Sequence, residues 1–98
     1  MSSKPTNSKD FDKRTEVDIP LHYPVKVDGV EYKSLTMRRP KSKDSLKAQS
    51  YKGSDAKKGM LLFADLCGVS PDVIEELDEV DADALGDQLK AFTGRQAD

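Results

Sequence analysis

Few side chains in this 98-residue sequence could do covalent or acid–base chemistry: one histidine, one cysteine and a run of carboxylates. His22 would serve as a general base only beside a nucleophile whose proton it could take, and no serine or cysteine stands in a recognisable setting for that role. A surface histidine is the expectation. Cys67 has no second cysteine with which to form an internal disulfide, and it falls in an apolar stripe near the C-terminal end of a predicted helix, where the dipole disfavours a thiolate. It reads as a small core residue. The carboxylates from Asp72 to Asp87 put Asp81, Asp83 and Gly86 at positions one, three and six of a calcium-loop spacing. Leu85 and Phe92 then occupy positions five and twelve, where oxygen ligands are required. These acids are expected to cap helices and face solvent. Gly53 to Gly59 mixes glycine with lysine but lacks the terminal Gly-Lys-Ser/Thr order of a phosphate loop. No catalytic residue, no metal site and no cofactor is expected, and the chain reads as one that acts by binding.

Binding chemistry is visible in the charge pattern. Residues 1–58 carry 14 Lys/Arg against 8 Asp/Glu, whereas residues 59–98 carry 2 against 10, so balances of +6 and −8 lie under a net charge of −2. Such a dipole suits head-to-tail self-association or a charged partner. Arg38, Arg39, Lys41 and Lys43 open the basic run and are the candidate charged surface for a homo-oligomer or a partner. The run through residue 58 also admits an alternative, a small nucleic-acid-binding regulator. Against it stand a single interleaved aromatic, Tyr51, and an acidic second half that repels phosphate. Leu85, Leu89 and Phe92 recur at i, i+4 and i+7, a narrow stripe that either closes the core or docks a partner helix in a groove.

These groups must be held by a small number of elements. Residues 1–16 are polar and are expected to form a flexible tail, residues 17–94 a single small α+β domain, and residues 95–98 a C-terminal tail. From Val17 to Val27 apolar residues alternate with polar ones over eleven positions, the pattern of a half-buried strand. Pro20 and Pro24 fall on its polar parity and push it to an edge or break it. Asp28-Gly29 is a type I′ turn signal. On the returning strand Val30 and Tyr32 lie on one parity and Leu35 and Met37 on the other, which predicts a bulge near Lys33-Ser34. Three or four short helices should then pack on this antiparallel hairpin. Ser42 is the expected N-cap of the first, Ser54 opens the second, and Gly68 ends it. Ser70-Pro71-Asp72 starts the third, and Asp81 is expected to cap the last, which ends at Gly94. The longest apolar run, Met60 to Ala64, is far below the roughly 20 residues of a bilayer span, and the first ten residues hold no apolar stretch typical of a secretory signal. No membrane association is expected.

Several segments in order resemble one known family. Leu21-His22-Tyr23-Pro24-Val25 precedes the hairpin turn; Leu35-Thr36-Met37-Arg38-Arg39-Pro40 leads to Asp44; Leu66-Cys67-Gly68-Val69-Ser70-Pro71 forms a turn. Ile74-Glu75-Glu76-Leu77, Asp81-Ala82-Asp83-Ala84-Leu85 and Phe92 follow. Together they resemble the tail assembly chaperones of contractile-tailed, Mu-like and P2-like bacteriophages. The resemblance implies a helper of virion morphogenesis in the cytoplasm of the bacterial host that binds the tape measure protein before the tail tube polymerises and is not in the mature virion. It also implies contact with the tail tube protein or with a frameshift-extended form of the chain itself. The family supplies no catalytic residues, so Arg38, Pro40, Asp44 and Asp81 are matched positions read as strand exit and helix capping.

Overall fold

A computed structural model describes residues 11–94. Two strands, β1 (Glu16–Val27) and β2 (Val30–Arg38), form an antiparallel hairpin and are followed by α1 (Ser42–Ser50), α2 (Asp55–Cys67), α3 (Pro71–Glu76) and α4 (Glu79–Thr93). This is the expected α+β arrangement. The hairpin reverses at Asp28 and Gly29, with φ of 52° and 80°. Both central residues are left-handed, as the type I′ turn requires, and Gly29 adopts that region at no steric cost.

The ladder changes register partway along. Val17 faces Met37, Ile19 faces Leu35 and Pro20 faces Ser34, after which pairing resumes with Val25 opposite Tyr32 and Val27 opposite Val30. Four residues of β1, Leu21 to Pro24, thus stand against one of β2, Lys33. The expected irregularity opposite Lys33 is present, but β1 carries the extra residues. Their excess, three, is odd, and only an odd offset lets apolar residues meet on both sides of the kink despite the parity change in β2. Pro20 and Pro24 have no N–H to donate, which makes this the cheapest stretch of β1 to release from the ladder.

One side of the hairpin carries the core. Val17, Ile19, Leu21, Leu35 and Met37 are buried with Ala64, Leu66, Val73, Ile74, Leu77, Leu85 and Phe92. Helix α2 packs on α1, α3 and β2, while α3 and α4 pack on β1. The Ser54 hydroxyl accepts from the Lys57 N–H to start α2. Gly68, at φ 66°, ends it, and the Val69 N–H reaches back to the Ala64 carbonyl, a Schellman closure. Pro71 holds the first position of α3 after Ser70, as expected.

Three expectations are corrected. Ser42 lies inside α1; Lys41 is the N-cap, and its N–H is accepted by Asp44 at 2.8 Å. Asp78, not Asp81, caps α4, its carboxylate accepting from the Val80 N–H at 3.0 Å. The helix therefore starts one turn earlier and carries Asp81 into its first turn. Residues 11–15 were expected in a loose tail, yet they form a strap along α4: the Asp12 N–H donates to the Ala91 carbonyl at 2.8 Å, and Arg39 N–H to Thr15. The rest of that tail, residues 1–10, and the C-terminal tail, residues 95–98, lie outside the described residues.

Candidate functional site

The kink in β1 leaves the His22 and Tyr23 N–H groups without ladder partners, and α4 supplies the acceptor. Asp81, with no exposed surface, takes the His22 N–H at 2.8 Å on one oxygen and the Tyr23 N–H at 3.0 Å on the other. The His22 ring Nδ1 lies 3.1 Å from the first oxygen. Burial pushes this carboxyl's pKa up, but the three donors outweigh burial and hold it below the ordinary carboxylate value. The imidazole itself is 71% exposed, so the surface position expected of His22 stands. Its partner is a structural carboxylate.

A second polar cluster joins β2 to α1. Arg38 forks onto Asp44 with both nitrogens at 2.8 Å. That guanidinium, with the Lys41 N–H, overcomes the cost of burial and lowers the Asp44 pKa to about 2. Arg39 points the other way. Its Nη1 donates to the Phe92 carbonyl at 2.9 Å and its Nε to the Arg14 carbonyl at 3.0 Å. The guanidinium carbon lies 4.8 Å from the centroid of Phe92 and 5.7 Å from that of Phe11, a cation–π sandwich. Its Nη2 is buried and has no hydrogen-bond partner among the described residues. Of the four cations expected to form a charged surface, Arg38 and Arg39 are therefore engaged by groups of the fold, Arg38 with 44% of its side chain still exposed, and Lys41 and Lys43 are exposed.

The apolar stripe of the last helix closes the core. Leu85 and Phe92 are 0% and 1% exposed, and Leu89 is partly buried against them. Of its two sequence readings, core is the one this conformation adopts, because α4 turns that face onto β1. Docking on Leu85 and Phe92 would require α4 to lift away. An open surface lies beside the stripe instead. A groove of about 430 Å³ runs between β1 and α4, lined by Val17, Asp18, Ile19, Pro20, Ala84, Asp87, Gln88 and Ala91. Four consecutive residues of β1 line it, so it opens on the strand's unpaired edge. Its floor is apolar, its rim carries Asp18 and Asp87, and Gln88 and Ala91 hold Asp12 of the strap at one end. Sequence reasoning missed this groove, since Ala84 and Ala91 carry no chemical signal and matter only through what α4 packs beside.

Burial raises the Cys67 thiol to about 11, which keeps it protonated and inert at neutral pH. Among the described residues no group of three or more His, Cys, Asp or Glu is placed to hold a metal, and no helix is long and apolar enough to cross a membrane. What the surface offers is contact: the groove, and Phe11, Tyr23, Val30, Leu46 and Val80 standing exposed among charges.

Comparison with known proteins yields one finding. A family model described as "Phage tail assembly chaperone proteins, E, or 41 or 14" matches residues 18–94. No curated protein and no solved structure matches the chain.

Proposed function

Because that match spans most of its length, the chain belongs to the phage tail assembly chaperone family, and from this membership we propose that it binds the tape measure protein and keeps it soluble until the tail tube polymerises around it. The protein acts in the host cytoplasm by binding, without catalysis, and leaves before the virion is complete. The family match carries this reading, and the groove between β1 and α4 supports it physically. A long helical client exposes apolar stripes that aggregate unless covered. The groove presents Pro20 and Ala91, with partly exposed Ala84, to cover part of such a stripe, and Asp18 and Asp87 to keep the complex solvated and favour clients with basic flanks.

Co-expression with the tape measure protein tests the proposal. The chain should raise the client's soluble yield and co-purify with it. Ala91→Arg and Asp87→Lys, both at exposed groove positions, should abolish co-purification while leaving the circular dichroism spectrum unchanged. A client that precipitates equally with and without the chain would refute tape measure binding, and folded variants that still co-purify would move the site off the groove.

A further inference from the structure

Residues 11–15 run along the end of α4 without joining the core. Phe11 is 43% exposed, Lys13, Arg14 and Thr15 are exposed, and Asp12 alone is partly buried. A short set of directed contacts holds them. The Asp12 N–H donates to the Ala91 carbonyl at 2.8 Å, one of those that the last turn of a helix leaves without an intrahelical donor. The Gln88 side-chain amide donates to the Asp12 carboxylate at 3.0 Å. The Phe11 ring lies against the Arg39 guanidinium, which also meets Phe92. A segment held by few directed bonds and little buried surface opens at low free energy.

Two consecutive strap residues thus supply most of what α4 and Arg39 read: an aromatic ring, then an acid with a donating backbone N–H. Arg14 completes the pattern from within the strap. Its Nη2 lies 2.6 Å from the Asp12 carboxylate and its N–H donates to the same group at 3.0 Å, which offsets the acid against the negative end of α4. The closed strap nevertheless leaves the site one acceptor short. Arg39 donates through Nε and Nη1 to the Arg14 and Phe92 carbonyls, but its Nη2 is buried with no partner among the described residues. A buried donor left unpaired is costly. The strap also abuts the groove between β1 and α4, because Gln88 and Ala91, which hold Asp12, line that groove as well.

We propose that the strap is an internal stand-in for a partner's peptide: a segment of another protein with the order aromatic, acid, any residue, arginine displaces residues 11–15 and takes their place on Gln88, Ala91 and Arg39. The strap is then a competitor tethered beside its own site. A short tether gives an effective concentration on the order of millimolar, so the closed protein binds the partner weakly and the opened one binds it well. A partner segment that presents a further carbonyl or carboxylate to Arg39 Nη2 makes a contact that the strap does not, and this difference drives the exchange. Departure of the strap also frees the Gln88 and Ala91 end of the groove for the rest of the same segment.

The test uses the full chain and a dye-labelled synthetic peptide of residues 9–16, Lys-Asp-Phe-Asp-Lys-Arg-Thr-Glu. The peptide contains no client sequence, so the outcome is separate from that of tape measure binding. Phe11→Ser with Asp12→Ser in the chain frees the site without altering it, and by fluorescence anisotropy this variant should bind the peptide at least about tenfold more tightly than wild type. The same two changes made in the peptide, or Arg39→Ala added to the variant chain, should remove binding. The wild type gives a second readout that does not depend on the variant folding: with millimolar peptide present, exchange of its Asp12 N–H, followed by NMR, should accelerate severalfold while exchange in α2 stays unchanged. Equal affinity of wild type and variant, a folded variant that binds no peptide, an altered peptide that binds as well as the original, or Asp12 exchange that the peptide leaves unchanged would each overturn the proposal.

Discussion

The contact between Asp81 and the kink of β1 offers the sharpest test of how this fold is held. Asp81→Ala removes the only acceptor for the His22 and Tyr23 N–H groups among the described residues. A hydrogen bond to a charged group contributes about 1.5–3 kcal/mol, so two give an upper bound of about 3–6 kcal/mol. Both donors lie on residues with exposed side chains, and water recovers part of the loss. The ring contact of His22, largely solvated, adds little. A destabilisation of about 3 kcal/mol is expected, a large share of the 5–15 kcal/mol typical of a domain. With a urea m of about 1–1.5 kcal/mol/M for so short a chain, the unfolding midpoint should fall by roughly 2–3 M. Asp81→Asn, which keeps one acceptor oxygen, should fall about half as far. The carboxyl's folded pKa lies below its ordinary 3.8, so the unfolded chain takes up the proton first. The contribution is complete well above pH 3.8 and is lost as the pH falls through the folded value. Asp44, lowered to about 2, acts with the same sign, and Asp81→Asn should flatten only its own part of the acid limb. An Asp81→Ala midpoint within about 0.5 M of wild type would refute the assignment of Asp81 as the acceptor that makes the kink affordable.

Two further outcomes follow from the geometry. Gly59 lies inside α2, and a Cβ built there meets nothing within 4 Å, so Gly59→Ala should stabilise the chain by about 0.5–1 kcal/mol through helix propensity and raise Tm by several degrees; an unchanged or lower Tm would show that the position needs its glycine. Arg39→Ala removes the bridge from the Arg14 carbonyl of the strap to the Phe92 carbonyl of α4, leaving the strap only its Asp12 bonds to α4, so hydrogen exchange at the Asp12 N–H, which bonds to Ala91, should accelerate at least tenfold while exchange in α2 stays unchanged, and equal protection in both variants would show that the strap is held without Arg39.

Residue types alone set the expectation of a chain that acts by binding: one histidine, one cysteine and carboxylates without the spacing of a metal loop. Local order is legible too, since it depends on neighbours in sequence. Asp28-Gly29 takes the hairpin turn because positive φ is cheap there. Ser54, Gly68 and Ser70-Pro71 bound helices because caps act within one turn. The same holds for the parity break near Lys33, which a period of two exposes.

What the tertiary structure decided are the matters in which one residue type serves two ends. A carboxylate in an acidic run can cap a helix or reach across to another element, and Asp81 does the latter because the kinked strand leaves two donors facing it. An arginine beside a basic run can meet solvent or a backbone carbonyl. Arg39 meets Phe92 because β2 delivers it to the end of α4. The Leu85, Leu89 and Phe92 stripe has the same spacing whether it faces a partner or its own sheet, and only the docking of α4 on β1 turns it inward. Helical periodicity defines a face but not what covers it, because burial is a property of three-dimensional neighbours and not of the order in which residues are joined.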